Sequence, residues 1–328
     1  MKVSFTGVSR RQEFWDQNTG YGKVFKQIFD NLANTEYEPV INDRSAPIAI
    51  CSENPGWLYR DGNQYTIGHT THESTEMVQQ WIDNLDVVDE IWTPSNWIAS
   101  EIKKYTNKKI LVVPNCATST FTPVRREKSN PFYFVHVGEP AVRKGGNLVL
   151  QAFVELFGNN PDVFMVFKSF GSTNNLIGAN MYSNVMVITD DYTEEQMNNL
   201  FAKMHCFVYP TMGEGGGIIP LEAMLTGLPT ISTVCWADYL EHIHLPINSS
   251  LIDVPDDIAS TTWLRGQIFS PDKESIKEQM LTVYNNYAEY EKIYSNQASD
   301  IREEYSWSSV VQKIVVPRLK EIEEDNGI

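Results

Sequence analysis

The chain has 328 residues, a formal net charge of −16 and a pI near 4.8. Hydrophobic residues make up 42% and charged residues 21%, which is the make-up of a soluble globular protein long enough for two domains. The acidity opposes binding to nucleic acid or to an anionic membrane, no apolar run approaches the roughly 20 residues that span a bilayer, and the apolar part of the N-terminus is short for a signal peptide, so a cytoplasmic protein is expected.

Lys2 to Val8 reads as a first strand. A polar loop, Ser9 to Asn18, carries Arg10, Arg11 and Trp15. Thr19-Gly20-Tyr-Gly22-Lys23 comes next and leads from this loop into an amphipathic helix to about Leu32, with Val24, Ile28, Phe29 and Leu32 on one face. Strand, Gly-x-Gly and helix together start a nucleotide-type α/β domain. A second strand is expected over Pro47 to Cys51, followed by a loop to Asn63 in which Trp57 and Tyr59 offer stacking surfaces. Tyr65-Thr-Ile-Gly-His69-Thr-Thr-His72-Glu-Ser-Thr75 runs from a strand into a polar loop and a helix. Polar residues at the end of a parallel strand are where α/β sheets keep their sites. Val87 to Pro94 predicts a strand, Ser95 an N-cap, and Ile110 to Asn115 the last strand of this half. Thr122 to Pro131, with two prolines and several charges, predicts the linker, giving domains over residues 1–125 and 126–306.

Phe132 to Gly138 predicts the opening strand of the second domain. Arg143, Lys144, Gly145 and Gly146 form a cationic turn before a helix, Asn147 to Phe157, with Asn147 as its cap and Leu148, Ala152, Phe153 and Leu156 as its stripe. Strands follow at Val163 to Lys168, with Gly171 in the loop after it, and at Val185 to Ile188. Thr193 and Gln196 make a capping pattern for the next helix. Such alternation argues for a parallel sheet.

The most informative stretch is residues 206–235. Cys206 to Tyr209 is a short apolar strand that Pro210 stops. Gly215, Gly216 and Gly217 follow, then a helix with Pro220 at its first position and Gly227 at its C-terminal cap, then a strand from Thr230 to Val234. A glycine loop feeding a helix N-terminus offers free N–H groups to an anion, here at Gly215 to Ile218. Two carboxylates, Glu214 and Glu222, bracket it, and a carboxylate suits sugar hydroxyls and not phosphate. The pairing points to a ligand with both. Beyond Trp236 the pattern loosens until a helix at about Lys273 to Tyr290.

Glu214, seven residues and Glu222, within E-G-G-G-I-I-P-L-E-A-M-L-T-G-L-P, resemble the E-x7-E signature of retaining GT-B glycosyltransferases, in particular glycosyltransferase family 4. The resemblance implies two Rossmann-like domains facing across a cleft, with a last helix, about 307–328, packing back on the first. It implies a nucleotide-diphosphate sugar as donor, UDP-hexose favoured and GDP-mannose next, and a hydroxyl acceptor, a glycan or small molecule. No cofactor and no metal are expected. No D-x-D occurs in the sequence, and Asp190-Asp191 is not one.

Carried over by position, Arg143 and Lys144 hold the donor diphosphate, Glu222 the ribose and Glu214 the transferred sugar. Gly20 and Gly22 face the cleft near the diphosphate. His72, with His69 as second choice, lies near the transferred sugar. Departures from the family pattern are Gly216, where a bulky residue is usual and whose absence implies a more flexible loop, and Asn115-Cys-Ala-Thr, which lacks the usual Gly and Asp. Glu139 also stands where many members carry the Arg.

Two other classes remain. A sugar-nucleotide epimerase on the same scaffold needs acid–base residues, for which His69 and His72 offer themselves. A non-catalytic nucleotide-sugar-binding relative normally lacks Glu214, Arg143 or Lys144, and all three are present. The four cysteines, Cys51, Cys116, Cys206 and Cys235, form no C-x-x-C and read as reduced packing residues. Glu241, His242 and His244 have the composition of a metal site, with a solvated or capping role as the simpler reading. Two basic clusters, Lys103, Lys104, Lys108 and Lys109, and Arg125, Arg126 and Lys128, read as a solvated helix end and linker.

Overall fold

A computed structural model describes residues 1–7, 20–169, 176 and 178–328. The loop Ser9 to Asn18 and Gly171 lie outside the described residues.

The first sheet holds β1 (Lys2–Gly7), β2 (Glu38–Ile41), β3 (Ile48–Ser52), β4 (Tyr65–His69), β5 (Glu90–Thr93) and β6 (Ile110–Val112), in the order β2-β1-β3-β4-β5-β6. The second holds β7 (Phe132–Val137), β8 (Val163–Lys168), β9 (Val185–Ile188), β10 (Cys206–Tyr209), β11 (Thr230–Ser232) and β12 (Leu245–Pro246), in the order β12-β11-β10-β7-β8-β9. Every pairing in both is parallel. Central strands are covered on both faces, which is why β3 and β10 are buried throughout and read as unbroken apolar runs. β2 and β12 are edge strands of four and two residues, too short and too exposed to leave a pattern in the sequence.

The helices follow their predicted faces with local differences. Gly20–Leu32 buries Val24, Phe25, Ile28 and Leu32. Ser95 caps Asn96–Lys103, its side chain accepting from the Ile98 N–H at 3.2 Å. Thr193 and Gln196 form a full capping box on Glu194–Lys203. Asn147 is not a cap: the helix starts at Gly146, preceded by Gly145 in the left-handed region. Ile219 opens the glycine-loop helix, so Pro220 is its second residue, and Gly227 follows its end at φ +73°. The helix expected to about Tyr290 breaks at Asn286, between Lys273–Asn285 and Tyr287–Glu304. The last helical stretch begins at Trp307, passes through a π turn at Val311–Val315 and continues over Val316–Asn326.

That stretch packs on the first domain. Arg318 is 7% exposed and donates to both oxygens of the fully buried Glu90, at 3.3 and 3.0 Å from Nε, and Tyr37 bonds Glu323. The loose region after Trp236 contains an antiparallel hairpin, β13 (Ser249–Asp253) and β14 (Gln267–Pro271). The hairpin ties the domains together. Thr75 donates its N–H to Gln267 O at 2.9 Å, Arg265 bridges Glu76, and Phe269 donates to Met212 O at 2.9 Å. Trp263 meets Trp81, and Phe269 meets Trp97, at 5.9 and 5.6 Å between ring centroids.

Both basic clusters are tied up within the chain. Lys104 pairs with Glu101, Lys109 with Glu321, and Arg126 donates to Val124 O, Thr226 O and Phe201 O. The cysteines are free, with Cys51, Cys116 and Cys206 buried. Among the described residues no helix is long and apolar enough to cross a membrane.

Candidate functional site

Pro210 ends β10 because it has no N–H to give the ladder, and the next residues bend across the carboxyl end of the second sheet. Glu214, 5% exposed, sits there in a dense set of donors. Its Oε1 accepts from Lys144 Nζ at 2.7 Å, Tyr209 OH at 2.8 Å, Thr211 Oγ1 at 2.8 Å and Arg143 Nη1 at 3.4 Å. Burial opposes its charge, but Lys144 and Arg143, with hydrogen bonds from Lys144 and Thr211, hold its carboxyl below the ordinary range.

Arg143 and Lys144 stand on one 3₁₀ turn, Val142–Lys144. Gly145 ends it at φ +73°, where a Cβ would lie 2.4 Å from Pro210 O, so only glycine fits. The Met212 N–H donates to Arg143 O at 2.8 Å and binds this turn to the glycine loop. The Arg143 guanidinium reaches Gly213 O, and its Nη2 lies 3.4 Å from Glu73 and 3.7 Å from Glu139. Burial works against its charge and the carboxylates of Glu73 and Glu214 outweigh that, so its pKa is raised. Burial pushes Glu73 upward, with Arg143 pulling the other way.

The glycines mark where the two domains touch. A Cβ at Gly213 would lie 2.4 Å from Glu73 O, one at Gly215 2.6 Å from the Thr71 methyl, and one at Gly217 2.7 Å from the Trp236 ring. At Gly216, φ is +102° and a Cβ would meet Asn115 Nδ2 at 2.6 Å and Pro94 at 2.8 Å. The absent bulky side chain therefore does not leave a looser loop: it lets the first domain close directly on the backbone. Tyr239 fixes the same loop by donating to Gly217 O.

Ile218 caps the helix Ile219–Leu225, and Glu222 lies in its first turn. Glu222 is 7% exposed, and burial pushes its pKa up to about 7, with Lys23 of the first domain opposing and Glu194 adding to the rise. Gly20 and Gly22 begin the helix that carries Lys23, so they lie one turn from the residue that faces Glu222. Gly20 is exposed and Gly22 buried.

The two histidines are both buried. His69 ends β4, stacks on Phe25 at 6.2 Å and shares a 2.8 Å hydrogen bond with Ser52 Oγ. His72 is 1% exposed, lies edge-on to Trp81 at 6.0 Å and is 3.4 Å from Ser74 Oγ. Burial lowers both to about 4. In this loop Thr71 and Glu73 meet the glycine loop and Arg143, while His72 turns into the first domain's own core.

Sequence reasoning missed Glu73, Thr71, Tyr209 and Thr211. Tyr209 reads as the end of a strand and Thr211 as a residue of the loop after Pro210, and only their places five and three residues before Glu214 hinted at more. Glu73 had one signal, an acid in a loop beside two candidate histidines.

The family model described as "Glycosyl transferases group 1" matches residues 119–259, which include Arg143, Lys144, Glu214 and Glu222. No curated protein matches the chain. Among solved structures, sucrose-phosphate synthase from Thermosynechococcus elongatus superposes with a TM-score of 0.75 at 12% identity, covering 99% of this chain and 100% of its own. A glycosyltransferase from Rickettsia africae gives 0.67 at 12% identity, covering 98% and 97%. The pneumococcal O-GlcNAc transferase GtfA, solved with UDP and GlcNAc, gives 0.57 at 17% identity, covering 93% of this chain and 60% of its own. The fold is GT-B, as the group 1 resemblance implied.

Proposed function

We propose that this protein is a retaining, metal-independent glycosyltransferase that moves a hexose from a nucleotide-diphosphate sugar, UDP-hexose first and GDP-mannose next, to a hydroxyl of a glycan or small molecule. The observation that carries the reading is the buried cluster of Glu214 with Lys144, Arg143, Tyr209 and Thr211 at the glycine loop, roofed by Thr71 and Glu73 of the first domain. The match of this segment to glycosyl transferases group 1 supports it. A neighbour solved with UDP and GlcNAc supports uridine diphosphate as the leaving group.

In this reading Arg143, Lys144 and the N–H groups of Gly215 to Ile218 receive the diphosphate. Charge grows on it as the bond to the sugar C1 breaks, so cations and dipoles fixed there stabilise the transition state more than the ground state. The acceptor oxygen bonds to C1 on the same face, and its proton passes to the departing phosphate oxygen. Glu214 accepts from hydroxyls of the transferred sugar and stabilises positive charge on its ring. Glu222 accepts from the ribose. Arg143 and Lys144 are shared between Glu214 and the phosphate, and donor entry exchanges the contact between Arg143 and Glu73 for one to phosphate.

His72 receives no step, because its ring is sealed against Trp81. The epimerase alternative loses support for the same reason, since both histidines it needs are buried. The test is donor turnover in EDTA against a panel of UDP-, GDP-, ADP- and dTDP-sugars, with retention read as the α-sugar appearing first. Interconversion of a donor to its epimer would move the assignment to the epimerase.

A further inference from the structure

We propose that Glu241, His242 and Glu304 form a surface site for a divalent transition metal, Zn²⁺ by preference, which fastens the turn Asp238–His242 to the end of helix Tyr287–Glu304. Among the described residues this group brings together one imidazole and two carboxylates whose ligand atoms all lie within 4.8 Å of one another. His242 Nε2 is 3.6 Å from Glu304 Oε2 and 3.9 Å from Glu241 Oε1. A tetrahedral Zn²⁺ with bonds of about 2.0–2.2 Å holds its ligand atoms about 3.4 Å apart. The observed separations are therefore those of a site that contracts slightly around an ion. They are too long for hydrogen bonds.

A second observation points the same way. His242 Nε2 is withdrawn from water and has no hydrogen-bond partner among the described residues. The ring as a whole is half-buried, 24% exposed, but this nitrogen, shielded from water and beside two carboxylates, makes no hydrogen bond, a deficit that a bound cation removes. The ring is also held in place. His242 O accepts from Gln297 Nε2 at 3.1 Å, and the imidazole stands edge-on to Tyr305 with centroids 6.2 Å apart.

The imidazole decides the class of ion. A nitrogen ligand with two carboxylates suits Zn²⁺ and its neighbours, whereas Mg²⁺ and Ca²⁺ take oxygen. Both carboxylates are exposed, at 68% and 56%, so the ion enters from solvent and keeps water in its remaining position. The sequence alone suggested His244 as the third member, but His244 Nε2 bonds Gln297 Oε1 at 2.9 Å and Glu304 takes its place. None of the three ligands bonds Glu214, although Tyr239 on the same turn donates to Gly217 O of the glycine loop.

The experiment uses the full chain, stripped with EDTA, freed of any affinity tag and titrated with ZnCl₂ by calorimetry, with thermal unfolding in parallel. One saturable equivalent is expected, with a rise in melting temperature. His242→Gln and Glu304→Gln should each weaken binding at least about tenfold, and His244→Gln should leave it unchanged. Glu304 is at the surface, so Glu304→Gln is expected to fold even if a change at His242 does not. Absence of saturable binding would overturn the proposal. So would binding that survives Glu304→Gln, which puts the ion elsewhere, or that His244→Gln removes equally, which leaves an adventitious surface site.

Discussion

At the scale of single residues, the cleft is an exercise in keeping charges buried. Glu214 is tolerable there only because four donors converge on one of its oxygens. Replacing it by Gln keeps the shape and removes the charge. Glu214→Gln should lower kcat by about 10²- to 10³-fold with little change in donor affinity, read from single-turnover rates and donor titration. An unchanged kcat would remove Glu214 from the chemistry.

Glu222 behaves in the opposite sense. Its folded pKa, about 7, lies above the ordinary 4.5 because burial disfavours the charge. The folded state then binds more protons than the unfolded one between those values, so this group contributes stability below pH 4.5 that is lost as pH rises through 7. Glu222→Gln should raise the melting temperature at pH 8, a gain of about 1–3 kcal/mol, and leave it unaltered near pH 4. A melting temperature that falls at pH 8 would mean the carboxylate is ionised and well paired.

The paired glutamates and the Arg143-Lys144 turn were legible because their spacing is local: seven residues within one strand–loop–helix unit, and adjacent cations before two glycines. Glu73 and Thr71 were not. They join the site only when segments of two domains far apart in the chain meet, Glu73 with Gly213 and Thr71 with Gly215, and no local pattern encodes that meeting. The direction in which His72 faces was not legible either. A polar residue past a strand end can point either way, and the apolar Trp81 decided it.

At the scale of elements, the parallel strands were readable because burial on both faces forces continuous β-branched and aromatic runs, as in Val163-Phe-Met-Val-Phe. The hairpin β13–β14 escaped because its exposed strand Ser249–Asp253 carries no strong alternation and its partner is defined only by pairing. That hairpin straps the second domain to Thr75 and Glu76 of the first. Gly266 stands at φ +69°, where a Cβ would lie 2.6 Å from Glu76 Cγ and 2.7 Å from Thr75 Oγ1. Gly266→Val should therefore loosen the strap, and hydrogen exchange at the Thr75 and Gln267 amides should accelerate while amides of β7 and β8 keep their protection.

The last helix makes a second tie. Breaking a buried pair by removing one partner costs about 3–5 kcal/mol, so Arg318→Met, which leaves the buried Glu90 carboxylate no counter-charge and only the hydrogen bonds from Trp92 and Tyr65, should lower stability by that order in denaturant melts. A loss under about 1 kcal/mol would mean that the pair is solvated and that the return of this helix rests on apolar packing alone.

At the scale of the whole molecule, two parallel sheets face each other by the carboxyl ends of their strands, and the glycine loop fills the space between them. The acidic net charge of −16 coexists with a cationic pair at the centre, Arg143 and Lys144, both paired with Glu214. Four histidines, His69, His72, His136 and His205, are buried with pKa values lowered from 6.5 to about 4. The unfolded state binds their protons first, so their contribution is complete above pH 6.5 and is lost as pH falls toward 4, at up to about 1.4 kcal/mol per group per pH unit. Thermal stability should drop steeply over that window, and a flat profile from pH 7 to 4 would contradict the burial of these rings.

The central claim is that the Glu214 cluster holds a nucleotide-diphosphate sugar for transfer with retention and without metal. The measurement that tests it most directly is donor hydrolysis followed by NMR, in EDTA, with a panel of nucleotide sugars and the Glu214→Gln and Lys144→Ala variants alongside. The account predicts slow release of nucleotide diphosphate and α-sugar from one donor, UDP-hexose first, and its loss in both variants. Release that requires a divalent ion, that gives the β-sugar first, or that proceeds unchanged without Glu214 and Lys144 would contradict it.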